Sequence, residues 1–539
     1  HVVIESRREA KTASSRVREV ALRPDSRARL LFSPCLSPAP LFDCLARASP
    51  HQKVDNHVHL AAAAPVKDFT AFLQRKAATE STVEVAPGRT LGQVLKAAGI
   101  DPNVPPSIDS LEVMGDYQLF QRFDKFNLKY SPFKSADLRT IFLKSDNHLE
   151  GRYFAELAHQ CIKRLKDSGS TFAEYRVSVY GTSAGEWLKL ARWLLGRDCR
   201  KVNPKGPKAP THESLLVPQV RWMVQIPRIW SVIGRRVQPH PCLASRAPAE
   251  SCADKAGAVF ADCMANIFAP LFQATLEPEK HPEIAEVLRH IGGFDSVDDE
   301  SRFETSLEAS GLLGAQEWTA DGRNPHYGWQ LYHIWANVAK LNGLRRARGL
   351  NELSLRPHAG ECSGSGSHLG AAYLLATSIN HGIDLRHDIA LRYLYYLDQV
   401  GLSVSPISNE FLFLKLGENP LGSFLELGMN VTVSTDDPLL FHLTNEPLIE
   451  EYTVARATWG LSMTDMCEMC RNSVLQSDFS HEFKTKWLGP GYHQEGEGRN
   501  DATLSNVPSI REDFRWEVLS RERNFVSAAA SASGPESST

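Results

Sequence analysis

Short runs of β-branched and apolar residues recur along the chain, separated by longer stretches whose apolar positions have helical spacing. VDNHVHL (54–60), FAEYRVSVYG (172–181), VRWMVQIPRI (220–229), IGGFDSVDDE (291–300), LSLRPHAGE (353–361), INHGI (379–383), GLSVSPIS (401–408) and NVTVSTDD (430–437) each read as a strand. Runs such as NPHYGWQLYHIWANVAKLNGLRRARG and LGAAYLLATSIN lie between them and predict helices. Strands alternating with helices predict a parallel sheet, and eight of them predict its closure. The expected fold class is therefore α/β, a (β/α)8 TIM-type barrel, with a long insertion after the first strand (65–171) and extra helices after the eighth, where EPLIEEYTVARATWGLSMTDMCEMCRNSVLQ has helical patterning. Clusters of Pro, Lys, Arg and Cys at 197–219 and 234–257 predict surface insertions in loops. No internal sequence repeat is evident beyond this alternation.

The ends read differently. Residues 1–50 are rich in Arg, Ser, Ala and Pro and begin at His1 rather than Met, which predicts a disordered or atypical extension to an incomplete start. They resemble a transit peptide only weakly, because acids are too frequent. Barrel and insertions are expected over 51–525, and the low-complexity run VSAAASASGPESST (526–539) is expected to be a disordered tail.

Composition narrows the function. Charge is nearly balanced, with 60 Lys+Arg against 63 Asp+Glu, so no global basic field points to nucleic acid and a small-molecule partner is expected. No apolar run approaches the roughly 18 residues of a membrane span. Ten scattered cysteines suggest reduced thiols and a cytoplasmic setting. The single CxxC, Cys467 and Cys470, lies in a run of helical period and reads as helix cysteines rather than a metal or redox site.

Candidate chemistry gathers at strand ends. In NVTVSTDDPLLFH a β-branched run breaks off at Asp436 and Asp437, followed at once by Pro438. Proline cannot continue a central strand, so both acids fall where a strand gives way to a loop, the side on which barrels keep their chemistry. A turn acid beside a helix-cap acid would read the same way. In VDNHVHL the period of two puts His57 and His59 on one face, as a metal pair or as hydrogen-bonded histidines. RPHAGE adds His358 at a strand end with Glu361 just beyond, and INHGI adds His381. Together His57, His59, His358 and Asp436 form an N3O set suited to one zinc with an open position for water, and His381 is a natural general base for that water. Within the first insertion, QRFDKFNLKYSP interleaves Arg122, Lys125, Lys129 and Tyr130 with Phe123 and Phe126. Cations and a phenol beside rings suit a phosphate next to a planar base, although an amphipathic surface segment is the commoner use of such a run.

Rival motifs are weak. Gly364, Gly366 and Gly370 are spaced one residue too long for a dinucleotide loop and lack an acidic ribose ligand. His281-Pro282-Glu283 matches half of the base-flipping deaminase signature, but no P-C-x-x-C follows. The glycosylation sequon at Asn430 falls in an expected buried strand.

The combination VDNHVH, RFDKFNLKY, AEYRVSVYG, VRWMVQIPR, FDSVDDES, LRPHAGE, INHGI, SPISN and STDDPLLFHLTNEPLIEEY closely resembles the AMP deaminases, within the adenosine/AMP deaminase superfamily of zinc-dependent barrels, from about Lys53 to about Arg523. The zinc motifs are shared across that superfamily, whereas KFNLKY and EPLIEEY look like the AMP branch. The resemblance implies hydrolytic deamination of AMP to IMP and ammonia, in purine nucleotide interconversion, with one Zn2+ per subunit on His57, His59, His358 and Asp436. It implies that Glu361 protonates purine N1, that His381 takes the proton of the attacking water, and that Asp437 orients that water and meets the base edge. His59, Lys125, Phe126, Asn127, Leu128, Lys129, Tyr130, Glu361, Asp437, Pro438, Leu439 and Leu440 would line the nucleotide pocket, and the assembly would be a homodimer or homotetramer with no nucleic-acid or membrane partner. Three departures stand out: the N-terminal stretch is not the family's helical region, Leu440 replaces a common Gln, and the CSGSGSH loop is about one residue longer. Deamination of adenosine or another purine, and nucleotide binding without catalysis, are the alternatives.

Overall fold

The computed structural model describes residues 52–100, 106–197, 212–243, 258–301, 306, 313–319, 323–496 and 498–532. Eight parallel strands form its centre: β1 (Lys53–His59), β2 (Thr171–Ser178), β3 (Val220–Pro227), β4 (Ile291–Val297), β5 (Ser354–Leu355 continued by His358–Ala359), β6 (Ser378–His381), β7 (Gly401–Val404) and β8 (Val431–Val433). Each pairs in parallel with the next in sequence order. β5 is split because Pro357 has no N–H to give the ladder, yet the strand still bridges its neighbours. Arg356 N–H donates to the Phe294 carbonyl of β4, and Asn380 N–H of β6 donates to the Pro357 carbonyl.

The ring closes at the end where the chemistry was expected. A parallel bridge joins Val58 to Asp436, with Asp436 N–H donating to His57 O at 2.8 Å and His59 N–H to Asp436 O at 2.9 Å. The same two backbone bonds that finish the barrel thus bring the ends of β1 and β8 into register. Helices flank the ring, among them Phe260–Leu276, Tyr327–Arg346, Gly366–Leu375, Pro447–Trp459 and Met463–Gln476. The last two are one patterned run broken at Gly460, which turns left-handed at φ 64°. Cys467 and Cys470 lie unbridged on the second of them.

A second closure contact has a pH signature. Asp55 of β1 accepts from Thr435 Oγ1 at 2.6 Å and Thr435 N at 3.2 Å, and burial pushes its carboxyl up to about 6 despite those bonds. The folded protein therefore holds this proton more tightly than the unfolded chain, whose aspartates titrate near ~3.9. Stability from this group is expected to fall as pH rises through the window from about 4 to about 6, by a few kcal/mol at about 1.4 kcal/mol per unit. Asp55→Asn should flatten that window in urea melts; an unchanged profile would place the titration elsewhere.

Several expectations need adjusting. The 65–171 insertion is a folded helical layer, with Val66–Thr79, Ala136–Leu143 and Arg152–Ser168 packing Phe69, Phe72, Phe142 and Tyr153 into the core. Of the two loop insertions, 198–211 and 244–257 lie outside the described residues. Their flanks are not simply surface, because Leu215, Val237 and His240 are buried. The expected tail is corrected at its start: a helix runs from Ser509 to Ala532. Alanine loses no side-chain entropy in a helix, so SAAASA extends the turns before it. The expected N-terminal extension and residues 533–539 lie outside the described residues. Among the described residues, no helix is long and apolar enough to cross a membrane.

Candidate active site

Alternation along β1 aims His57 and His59 into the barrel, and closure with β8 sets Asp436 between them. Asp436 Oδ1 lies 3.5 Å from His57 Nε2 and 3.4 Å from His59 Nε2, and the two ring nitrogens are 3.4 Å apart. One donor atom each from His57, His358, His381 and Asp436 falls within 4.8 Å of all the others, and the ring centroids of His57 and His358 are 4.5 Å apart. All of these side chains are buried. His381 and Asp436 adopt left-handed backbone, at φ 68° and 59°. That conformation is uncommon for residues with a Cβ and tends to cluster where side-chain aim matters.

Their hydrogen bonds decide which atoms face inward. His59 Nδ1 meets Gln225 Oε1 at 2.8 Å and His358 Nδ1 meets Asp295 Oδ1 at 2.9 Å. An N–H donated at Nδ1 leaves Nε2 as a bare lone pair, so two acceptor nitrogens and a carboxylate converge on one buried point. Four donors held tetrahedrally about 2.1 Å from one ion stand about 3.4 Å apart. The observed 3.4–3.5 Å edges match, so the cluster fits a metal ion.

Sequence reasoning assigned no role to the outer partners. Ser408 Oγ donates to Asp436 Oδ2 at 2.7 Å, and Asn409 Nδ2 lies 3.2 Å from His381 Nδ1. Asp295 also accepts from Arg176 Nε at 2.7 Å through its other oxygen. Arg176 is buried and reaches the Asn56 carbonyl and Asn380 Oδ1 besides. An Asp inside the mostly apolar, buried IGGFDSV strand was the available signal, since a buried charge needs partners.

Beside the metal-type cluster stand groups with displaced proton affinities. Burial and then the neighbouring carboxylates Asp436 and Glu300 push Glu361 well above the usual carboxylate range. Its Oε1 lies 3.5 Å from His381 Nε2, whose imidazole burial lowers to about 4. Burial and the Asp436 charge push Asp437 up to about 7. Burial acts against Asp436 too, yet His59 and the other imidazoles hold it well below the usual range. Adjacent carboxyls with separated affinities can play separate acid and base parts.

The KFNLKY segment reaches this site at one point. Phe123–Lys129 is a short helix, after which Tyr130 OH donates to Asp437 Oδ1 at 2.5 Å. Phe126 is buried against Phe441, the rings nearly parallel at 5.8 Å. Lys129 Nζ pairs with Asp116 Oδ2 at 3.4 Å, Asn127 Oδ1 accepts from Arg139 Nη1 at 3.4 Å, Lys125 is half-buried, and Leu128 is exposed. Leu439 and Leu440, like His57 and His381, have no exposed surface. They lie in the turn Pro438–Phe441, directly after Asp437, and join the hydrophobic core. Pro438, which starts that turn, is buried as well. Gly364 N–H, of the weak dinucleotide motif, is taken by Asp384 Oδ2 at 3.0 Å.

A family model described as AMP deaminase matches residues 49–532. AMP deaminase 3 of Mus musculus is 40% identical over 494 residues, covering 90% of this chain and 60% of that one. The AMP deaminase of Dictyostelium discoideum is 40% identical over 491 residues, 89% of this chain and 57% of that one. Among solved structures, the apo N6-methyl-AMP deaminase of Arabidopsis thaliana aligns with a TM-score of 0.45 at 12% identity, over 81% of this chain and 95% of that one. The chain spans about 60% of the length of the curated relatives it matches. A match to the family model over nearly the whole chain, with relatives at this identity, means that the chain belongs to the AMP deaminase family.

Proposed function

We propose that this site deaminates AMP hydrolytically to IMP and ammonia. The observation that carries the reading is the meeting of His57, His59 and Asp436 at 3.4–3.5 Å, with His358 and His381 in the same cluster and a raised carboxyl, Glu361, beside it. His57, His59, His358 and Asp436 would hold one zinc ion, whose Lewis acidity makes water nucleophilic near neutral pH. His381, neutral at that pH, takes the water's proton. Glu361, kept protonated by burial, donates to purine N1 as the tetrahedral centre forms at C6; the proton taken from the water then passes to the departing amine, the C6–N6 bond breaks to release ammonia, and the C6 hydroxyl loses its proton as the IMP carbonyl forms. Asp437, anchored by the Tyr130 phenol, orients the water and meets the base edge. His59 and Phe126 flank the base, while Lys125 and Lys129 face the phosphate, with Asn127, Leu128 and Tyr130 beside them. Membership of the family supports a homodimer or homotetramer, and ten scattered cysteines without regular spacing support a cytoplasmic setting.

Ammonia release from AMP and from adenosine, with and without a strong chelator, tests the reading. Turnover of AMP that the chelator stops is expected; a preference for adenosine would remove the phosphate role, and tight AMP binding without turnover would leave only a nucleotide-binding protein. Lys125→Ala is expected to raise KM for AMP by about tenfold or more, the worth of a charge-assisted hydrogen bond near ~1.5 kcal/mol or above, while leaving adenosine turnover unchanged. Equal effects on both substrates would place Lys125 away from the phosphate.

A further inference from the structure

Glu300, in the loop just after β4, takes no part in the steps above, yet its buried carboxylate grips the segment that carries Glu361. Its Oε2 accepts the backbone N–H of Gly360 at 3.0 Å and of Glu361 at 3.2 Å. Two successive amides can face one acceptor because Gly360 is left-handed, at φ +75°, where a Cβ would stand 2.7 Å from Leu369. Successive N–H groups in such a turn form a concavity that suits an anion; here the chain supplies its own. The other end of the segment is tied back to the same carboxylate through two rings. Tyr327 OH donates to the His358 carbonyl at 2.8 Å, the Tyr327 ring stacks on His368 at 4.0 Å, and His368 Nδ1 lies 3.6 Å from Glu300 Oε2.

We propose that Glu300 is a positioning residue: by filling the amide concavity at Gly360 and Glu361 it fixes the Glu361 carboxyl beside His381 for proton delivery. The two amide bonds make Glu300 the hinge pin of that loop. The kinetic consequence rests on the deaminase reading; the bonding does not.

The test compares Glu300→Ala and Glu300→Gln with the wild type in AMP kinetics, metal content and hydrogen exchange at the Gly360 and Glu361 amides. Glu300→Ala removes the acceptor and is expected to lower kcat about 100-fold, the scale for a misplacement near ~1 Å, with KM within about threefold. Metal content should stay at the wild-type level and both amides should exchange faster. Glu300→Gln keeps a carbonyl oxygen for both N–H groups and should hold kcat within about fivefold, with slow exchange. Unchanged kcat or exchange in Glu300→Ala, loss of metal along with kcat, or a Glu300→Gln protein as impaired as Glu300→Ala would each overturn the proposal. Should Glu300→Ala not fold, Glu300→Gln decides alone: near wild-type kcat and slow exchange uphold it, and loss of either overturns it. A wild-type protein inert toward AMP would count against the deaminase reading only, and the exchange rates would still judge Glu300.

Discussion

Asp436→Ala protein is expected to purify with little bound metal and no measurable AMP turnover. Asp436 is the one anion among the expected ligands, and in a buried site a cation without a counter-charge is costly. Losing a partner outside the ligand shell typically weakens metal binding roughly 10- to 100-fold; losing the anionic ligand itself should exceed that range. The fold should survive, because the barrel closes here through backbone groups, Asp436 N–H to His57 O and His59 N–H to Asp436 O. Alanine at φ 59° carries strain of about 1 kcal/mol or more, so Asp436→Asn is the matched control, since asparagine tolerates left-handed backbone and keeps the side-chain shape. Elemental analysis and thermal melting separate the effects: both variants should lose metal, and only the alanine should melt noticeably earlier. Stoichiometric metal in both would remove Asp436 from the ligand set.

The ring of strands was legible because each strand is a short β-branched run with a helical run between it and the next, and a parallel sheet leaves few other solutions. His57, His59, His358, His381 and Asp436 were legible for the same reason, since position at a strand end is a one-dimensional property. The partners that aim them were not. Asp295 reaches His358 from a neighbouring strand, 63 residues away, and Gln225 reaches His59 from 166 residues away; such pairings depend on barrel register rather than on spacing. The KFNLKY segment was legible only in part. Tyr130 meets the site through Asp437 and Phe126 stacks on Phe441, but periodicity within QRFDKFNLKYSP says nothing of which face the barrel will meet. Leu439 and Leu440 follow two site acids in sequence, and Pro438 starts the helical turn in which both are buried.

Glu361→Gln should leave metal content and KM for AMP near wild type while lowering kcat by about 10²- to 10⁴-fold, the usual contribution of a positioned general acid. The amide can still donate a hydrogen bond to a ring nitrogen, so the bound substrate loses little, but it cannot surrender a proton as the tetrahedral centre forms. Burial and the carboxylates Asp436 and Glu300 raise the Glu361 carboxyl, and a general acid acts in its protonated form. Wild-type kcat/KM should therefore decline on the alkaline side as pH rises through that raised value, and Glu361→Gln should lack this limb because its side chain does not titrate. Raising Glu361 also sets its proton affinity apart from that of His381, lowered to about 4, so one neutral group can give a proton and the other can take one at the same pH. An alkaline limb that persists unchanged in Glu361→Gln would assign it to another group, and a kcat within about threefold of wild type would mean that N1 receives its proton elsewhere.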